Sequence, residues 1–202
     1  RVIDTVRAAG LVPVLDMAYQ GFGDGIDADG DAVRRFAAAG APLFVATSFS
    51  KSFSLYGERV GALSVLCASK DEAQRVLSQL KIVIRTNYSN PPTHGASVVT
   101  HVLNTPELRA QWEGELAAMR ERIKTMRSAL VTELAAAGVE RDMSFVSAQR
   151  GMFSYSGLNA AQMQRLRAEF SIYGVDSGRI CVAALNRGNI GRVAEAMATV
   201  MR

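Results

Sequence analysis

The chain has 202 residues, of which 49% are hydrophobic, and this apolar content supports one large or two small domains and excludes disorder. Its 23 basic and 19 acidic residues leave a net charge of +4 that is spread along the chain, so charge gives no support for nucleic-acid binding. No run of about 18 uncharged apolar residues is present, so we predict a globular chain without a membrane-spanning helix.

The cysteine content indicates a reducing environment. Cys67 and Cys181 are the only cysteines, and each lies in an apolar run. We therefore expect two small buried thiols and no disulfide framework. A cytoplasmic location fits this pattern best.

The first part of the chain indicates alternating helices and strands. Residues 1–10 are typical of the last turns of a helix with Gly10 as its C-cap, so the chain is expected to begin within a larger architecture. The short apolar run 11–15 predicts a strand that is buried on both faces and ends at Asp16. Apolar residues at helical spacing predict a helix over 27–40.

Two further strands follow, over 41–47 and 59–67, with a turn-rich segment between them. This order predicts the α/β class, with a mainly parallel sheet between layers of helices. Such sheets bind ligands at the carboxyl ends of their strands, where Asp16 and Ser48 are both expected.

The character of the chain changes after residue 70. Long helical patterns cover residues 71–84, 95–103 and 107–137. The last of these predicted helices is expected to link two domains. The remaining segments are typical of a small α/β domain, and they comprise residues 145–147, 151–157, 160–170, 179–184 and 189–201.

Lys51 is the first candidate for chemistry. It lies in a Ser-rich turn after a predicted buried strand and is flanked by Phe49 and Phe53. Partial burial beside another cation makes a lysine amine nucleophilic, as Schiff-base chemistry requires. On spacing alone, a surface loop lysine is an equally good interpretation.

Other residues could complete a site around Lys51. Arg59 and Ser48 resemble a phosphate grip, because a guanidinium binds phosphate oxygens in pairs and a hydroxyl adds a donor. An ion pair between Arg59 and Glu58 is the alternative. Asp16 could hold a heteroaromatic nitrogen protonated, and Tyr19 could donate to an adjacent oxyanion, although loop residues would show the same pattern.

Five motifs in order resemble class I pyridoxal-phosphate aminotransferases of the aspartate and aromatic amino acid branch. They are Asp16-Met-Ala-Tyr19-Gln-Gly21, the segment Ser48 to Gly61, Arg85-Thr-Asn-Tyr-Ser-Asn-Pro-Pro92, Gly151-Met-Phe153-Ser-Tyr-Ser-Gly157 and Ser177-Gly-Arg179. The sequences of the Lys51 motif and of residues 181–186 resemble those of the aromatic enzyme more than those of the strict aspartate enzyme.

The resemblance implies fold type I of the pyridoxal-phosphate transferases. Residues 1–115 would be the carboxyl-terminal part of the large cofactor-binding domain and residues 116–202 the small domain. Family members are about twice as long, so the amino-terminal half, with further cofactor-binding groups, is expected to be absent from this chain.

For the cofactor, pyridoxal 5′-phosphate, the resemblance implies a role for each matched residue. Lys51 would form the Schiff base and then move the proton between substrate and cofactor. Asp16 would keep the pyridinium nitrogen protonated, and Tyr19 would hydrogen-bond the phenolate oxygen. The phosphate would be held by Ser48 and Arg59, with Ser50 as an additional candidate.

For the substrate, the resemblance implies that Arg179 binds the α-carboxylate while Phe153 packs beside it. Arg85 would bind the distal carboxylate of a dicarboxylic substrate across the interface of a homodimer. The implied activity transfers an amino group from an aromatic amino acid or aspartate to a 2-oxo acid such as 2-oxoglutarate, by a ping-pong mechanism.

Two alternatives remain open. One is a catalytically incomplete fragment that acts only as a folding or dimerisation unit, and the other is a lyase on the same scaffold, against which the pair Arg85 and Arg179 argues. No metal site is predicted, because His94 and His101 are seven residues apart and lack further ligands. Trp112 is expected to have a packing role.

Overall fold

A computed structural model describes residues 1–40 and 42–202 of the chain. They form two compact units, the first comprising residues 1–21 and 25–116 and the second residues 22–24 and 117–202. The first unit contains α1 (Val2–Ala8), β1 (Val14–Met17), α2 (Ile26–Asp29), α3 (Asp31–Ala38), β2 (Leu43–Ser48), β3 (Gly61–Leu66), α4 (Lys70–Asn87) and α5 (His94–Asn104). Then follow α6 (Pro106–Ala136), α7 (Ser144–Ser147), β4 (Phe153–Tyr155), α8 (Ala160–Phe170), β5 (Arg179–Cys181), a 3₁₀ turn (Val182–Ala184) and α9 (Ile190–Met201). Helix α6 begins in the first unit and continues into the second.

The sheet of the first unit has the order β1-β2-β3. Strands β1 and β2 run parallel, with Asp16 opposite Ala46, whereas β3 runs antiparallel to β2, with Gly61 opposite Ser48. Strand β3 is thus an antiparallel strand beside the parallel pair β1 and β2. The segment between β2 and β3 contains turns but no helix, and a parallel return normally needs a helical crossover.

Strand β1 has only one buried face. Leu15 and Met17 pack against the small core of this unit, while Val14 and Asp16 are exposed. The prediction of a strand buried on both faces is wrong, because β1 pairs with β2 alone among the described strands and is covered on one side only. The core consists of Phe36, Leu43 and Val45.

The helix predicted over 27–40 is divided in the structure. Helices α2 and α3 are separated at Gly30. The strand predicted from Ala41 is observed as β2, although Ala41 itself lies outside the described residues. Gly10 follows α1 with a left-handed φ of 64°, which confirms the predicted helix end.

The longer helices lie where the sequence predicts them. Ser69 begins α4 by accepting a hydrogen bond from the backbone N–H of Glu72. Asn159 and Gln162 form a reciprocal capping box at the start of α8. None of the helices in the described part of the chain is long and apolar enough to cross a bilayer.

The second unit buries side chains of α6, α8 and α9 and contains a two-stranded antiparallel sheet of β4 and β5. Its fully buried side chains include Leu130, Leu134, Val146, Leu158, Met163, Leu166, Val182 and Met197. Both cysteines are free thiols, but Cys67 is half-buried and Cys181 is exposed. The expected burial of Cys181 is wrong, because its strand β5 pairs only with β4 among the described strands.

Candidate active site

Lys51 lies on the turn that follows β2, at the carboxyl edge of the parallel pair β1 and β2. Its ammonium nitrogen is 4.5 Å from the centroid of the Tyr19 ring, and Tyr19 lies on the loop that follows β1. A cation at this distance from an aromatic ring is attracted to it. Lys51 is half-buried and forms no ion pair with any residue in ranges 1–40 and 42–202.

The backbone of this turn is held by short-range hydrogen bonds. The Ser48 hydroxyl oxygen accepts from the N–H of Ser50 at 3.3 Å, and the Ser50 side chain is buried. The N–H of Phe53 donates to the carbonyl of Phe49, and the N–H of Ser54 donates to the carbonyl of Lys51, both at 3.2 Å. The amine of Lys51 is thus carried by an ordered turn.

Arg59 lies at the far end of the same segment, just before β3. Its guanidinium donates to the carbonyl of Tyr56 at 2.8 Å, and the residue has a left-handed φ of 51°. Non-glycine residues adopt this conformation at a cost and are concentrated at functional positions. The alternative ion pair with Glu58 does not form, so the cation of Arg59 has no carboxylate partner in the described structure.

Asp16 lies at the carboxyl end of β1, beside Ala46 of β2, and is exposed. It forms no ion pair with the described residues. The first unit therefore has a carboxylate, an ammonium and a guanidinium, in Asp16, Lys51 and Arg59, that do not neutralise one another. An aromatic ligand with a cationic nitrogen, an aldehyde and an anionic group offers a partner to each of them.

Trp112 of α6 contacts the Lys51 turn, a contact that was not predicted from the sequence. Its indole Nε1–H donates to the carbonyl of Ser52 at 2.7 Å. Its ring stacks on Phe53, with ring centroids 4.5 Å apart and planes at 20°. No local sequence pattern signals this contact, because 60 residues separate Trp112 from Ser52.

Arg179 and Phe153 meet in the second unit. They lie on the antiparallel strands β5 and β4, where Tyr155 is opposite Arg179 and Phe153 is opposite Cys181. The guanidinium carbon of Arg179 is 4.5 Å from the centroid of the Phe153 ring. Stacking on an aromatic face orients a guanidinium while leaving its N–H groups able to bind a carboxylate.

Arg127 of α6 supports strand β4 from within the second unit. This buried side chain donates to the hydroxyl of Ser154 at 3.1 Å and to the carbonyls of Gly151 and Phe153 at 2.6 and 3.2 Å. Burial lowers the pKa of the Arg127 guanidinium from its ordinary value. Arg127, which holds the strand of Phe153, is a second functional candidate that was not predicted from the sequence.

Arg85 lies in the last turn of α4 and is exposed. Its guanidinium donates to the hydroxyl of Ser89 at 2.6 Å. The described residues contain no cluster of histidine, cysteine and carboxylate side chains that could hold a metal ion.

Comparison with known proteins identifies the family. The family model described as "Aminotransferase class I and II" matches residues 1–197. The aspartate aminotransferase of Pseudomonas aeruginosa is 64% identical over 201 residues, which cover 100% of this chain and 50% of that protein. The aromatic-amino-acid aminotransferase of Escherichia coli is 54% identical over 200 residues, which cover 99% of this chain and 50% of that protein. The chain spans about half the length of these relatives.

Solved structures agree with this result. The aromatic-amino-acid aminotransferase from Burkholderia pseudomallei, covalently bound to pyridoxal phosphate, has a TM-score of 0.97 and 66% identity over 100% of this chain and 50% of that chain. A mitochondrial aspartate aminotransferase from Trypanosoma brucei has a TM-score of 0.96 and 42% identity, covering 100% of this chain and 53% of that chain. The predicted α/β fold, fold type I, is confirmed, and this chain belongs to the class I and II aminotransferase family.

Proposed function

We propose that this chain is the lysine-bearing half of a pyridoxal-phosphate aminotransferase that acts on aspartate and aromatic amino acids. The observation that carries the proposal is the position of Lys51, which lies over the Tyr19 ring at the carboxyl edge of β1 and β2 without a carboxylate partner among the described residues. A lysine amine free of an ion pair can react with an aldehyde.

The residues of the first unit fit pyridoxal phosphate chemically. Lys51 suits its aldehyde, the carboxylate of Asp16 suits its ring nitrogen, and the guanidinium of Arg59 suits its phosphate. The hydroxyls of Ser48 and Ser50 add phosphate donors, and the Ser48 hydroxyl can donate while its oxygen accepts the backbone hydrogen bond from Ser50. When bound, the cofactor supplies an electron sink that stabilises negative charge at the substrate α-carbon.

In this reaction Lys51, Asp16 and Tyr19 have separate roles. Lys51 would take the proton from the substrate α-carbon as a general base and would then deliver it to the cofactor as a general acid. Asp16 keeps the ring nitrogen protonated through its negative charge. Tyr19 donates its phenolic hydrogen to an oxyanion beside Lys51.

The second unit supplies recognition of the substrate. Arg179, oriented by stacking on Phe153, binds the α-carboxylate through paired hydrogen bonds. Arg85 binds the distal carboxylate of a dicarboxylic substrate in the active site of a partner subunit of a homodimer. One site then serves the amino acid and the 2-oxo acid, such as 2-oxoglutarate, in turn, which gives ping-pong kinetics.

The two parts of the chain are assigned to two domains of the complete enzyme. Residues 1–115 belong to the large cofactor-binding domain and residues 116–202 to the small domain. A cytoplasmic location is supported by the free thiols of Cys67 and Cys181.

Covalent capture of the cofactor tests the function. The chain is incubated with pyridoxal phosphate, borohydride fixes the cofactor to any lysine that holds it, and peptide mapping locates the modification. Lys51 should be labelled well ahead of the other lysines, which are Lys70, Lys81 and Lys124. Equal labelling of the four lysines would contradict the proposal.

The transfer reaction itself is assayed in a completed enzyme, in which the amino-terminal half of the Pseudomonas aeruginosa relative is joined to this chain.

A second candidate is a folding or dimerisation unit without catalysis. It is favoured by large apolar side chains that are exposed in the first unit, among them Leu63, Leu77, Ile82 and Val83. Exposed apolar patches mark surfaces that bind other protein surfaces. A chain that self-associates but captures no cofactor on Lys51 would support this candidate.

A further inference from the structure

The Lys51 turn makes one hydrogen bond to a distant helix. Hydrogen bonds between neighbours hold its backbone, but the carbonyl of Ser52, directly after Lys51, accepts from the indole of Trp112 on α6. This hydrogen bond is part-buried and short, at 2.7 Å between Nε1 and O. A part-buried carbonyl that loses its donor must find water or move.

An aromatic stack reinforces the same connection. Phe53 lies between Phe49, which it meets edge-on at 5.6 Å, and Trp112, on which it stacks at 4.5 Å. Phe49 and Phe53 stand on either side of Lys51 in the sequence, so the aromatic cluster holds both ends of the turn. Packing alone would need only the stack, whereas the indole N–H also sets the direction of the Ser52 peptide group.

We propose that Trp112 is a positioning residue for Lys51. By holding Ser52 and Phe53 from α6, it keeps the turn in the conformation that places the Lys51 amine over Tyr19. This inference rests on the proposed function, because the consequence of positioning is capture of pyridoxal phosphate by Lys51.

Two substitutions test the hydrogen bond to Ser52 and the stack on Phe53 separately. Trp112→Phe keeps an aromatic ring against Phe53 but removes the indole N–H that donates to the Ser52 carbonyl. Phe53→Leu removes the stack but keeps Trp112, which is the only tryptophan of the chain and therefore the only source of indole fluorescence. Gln111→Met is the matched control, because it removes one side-chain hydrogen bond, to Glu115, from the same turn of α6.

The measurement is the rate at which borohydride-fixed pyridoxal phosphate accumulates on Lys51 in the 202-residue chain. Trp112→Phe should lower this rate by about three- to tenfold, the range expected for loss of one hydrogen bond. Phe53→Leu should lower it similarly and shift the indole emission to longer wavelength. Gln111→Met should keep the rate of the parent chain.

Reductive methylation of Lys51, with formaldehyde as the carbonyl compound and borohydride as the reductant, separates positioning of the amine from a general loss of structure or access. With the reductant in excess, formaldehyde requires of the protein only an accessible amine, so methylation should be unchanged in Trp112→Phe while capture of pyridoxal phosphate falls. Equal capture by the parent chain and by Trp112→Phe would overturn the positioning role and leave the proposed function intact. Parallel loss of capture and methylation would also overturn it, since the amine would then be less accessible. A parent chain that captures nothing on Lys51 would overturn both.

Discussion

The ammonium nitrogen of Lys51 lies 4.5 Å from the centroid of the Tyr19 ring, although the two residues belong to loops that follow different strands. The parallel pairing of β1 and β2 explains the approach. It sets Asp16 beside Ala46 and Met17 beside Thr47, so both chains leave the sheet at the same edge. A phenol and an amine on these loops can then act on one ligand.

Removal of the Lys51 amine should abolish transamination. In the completed enzyme, Lys51→Ala is expected to lower kcat by about three decades or more, because it removes both the group that holds the cofactor and the proton carrier. Steady-state kinetics with aspartate measure the loss. Lys81→Ala, on the exposed side of α4, is the control and should keep the parent rate. A Lys51→Ala enzyme within tenfold of the parent would refute the assigned role.

Arg85 should distinguish dicarboxylic from aromatic substrates. Arg85→Leu in the completed enzyme is expected to cost aspartate about 3 kcal/mol or more of transition-state stabilisation, the scale of a lost charged hydrogen-bonded pair, and to affect phenylalanine much less. The ratio of kcat/KM values for the two substrates measures this difference.

The Ser89 hydroxyl provides the control for Arg85, since it accepts the guanidinium hydrogen bond at 2.6 Å. Ser89→Ala removes that bond and leaves the charge in place, so the substrate ratio should stay near the parent value. Equal losses for aspartate and phenylalanine in Arg85→Leu would show that Arg85 holds its loop and does not select the substrate.

Loss of the buried guanidinium of Arg127 should destabilise the second unit. Arg127→Met leaves the carbonyls of Gly151 and Phe153 without this donor, and unfolding free energy should fall by about 1–3 kcal/mol. Urea denaturation measures the change. Arg192→Met is the control, because among the described residues its exposed side chain donates to the carbonyl of Phe170 alone, and its effect should be much smaller. A similar loss in both variants would argue against a special role for Arg127.

Gly61 should be required for the close pairing of β2 and β3. A Cβ atom at this position would lie 2.6 Å from the carbonyl oxygen of Thr47, a backbone atom that can move only with its strand. Gly61→Ala is therefore expected to lower the free energy of unfolding by about 1–3 kcal/mol. Gly57→Ala meets no atom within 4 Å and should be close to neutral in the same denaturation experiment. Equal stability of the two variants would contradict the observed register.

Asp176 should contribute to the acid sensitivity of the second unit. Hydrogen bonds from Gln164 and Arg167 hold the pKa of its carboxyl below the ordinary value. A carboxylate with a lowered pKa stabilises the folded state above the ordinary pKa, and this contribution is lost as the pH falls below about 4. The thermal midpoint should therefore fall less between about pH 5 and pH 3 in Asp176→Asn than in the parent chain. Identical pH profiles would exclude a contribution from Asp176.

Local sequence signals determined most of the helices. Helices α4 and α8 begin within one residue of the predicted starts, where Ser69 and the Asn159–Gln162 pair cap them, and Gly10 ends α1 as predicted. These signals are readable because a helix end satisfies its free N–H and C=O groups with residues only a few positions away. The residues matched to the family motifs, Lys51 among them, could likewise be named from the sequence.

Only the tertiary structure decided which neighbours each strand acquires and which distant residues hold the Lys51 turn and strand β4 in place. The direction of β3, the single buried face of β1 and the exposure of Cys181 depend on which neighbours each strand acquires. The hydrogen bond from Trp112 to Ser52 crosses 60 residues, and the one from Arg127 to Ser154 crosses 27. Such contacts leave no periodic or local pattern, because they form only when separate elements of the chain pack together.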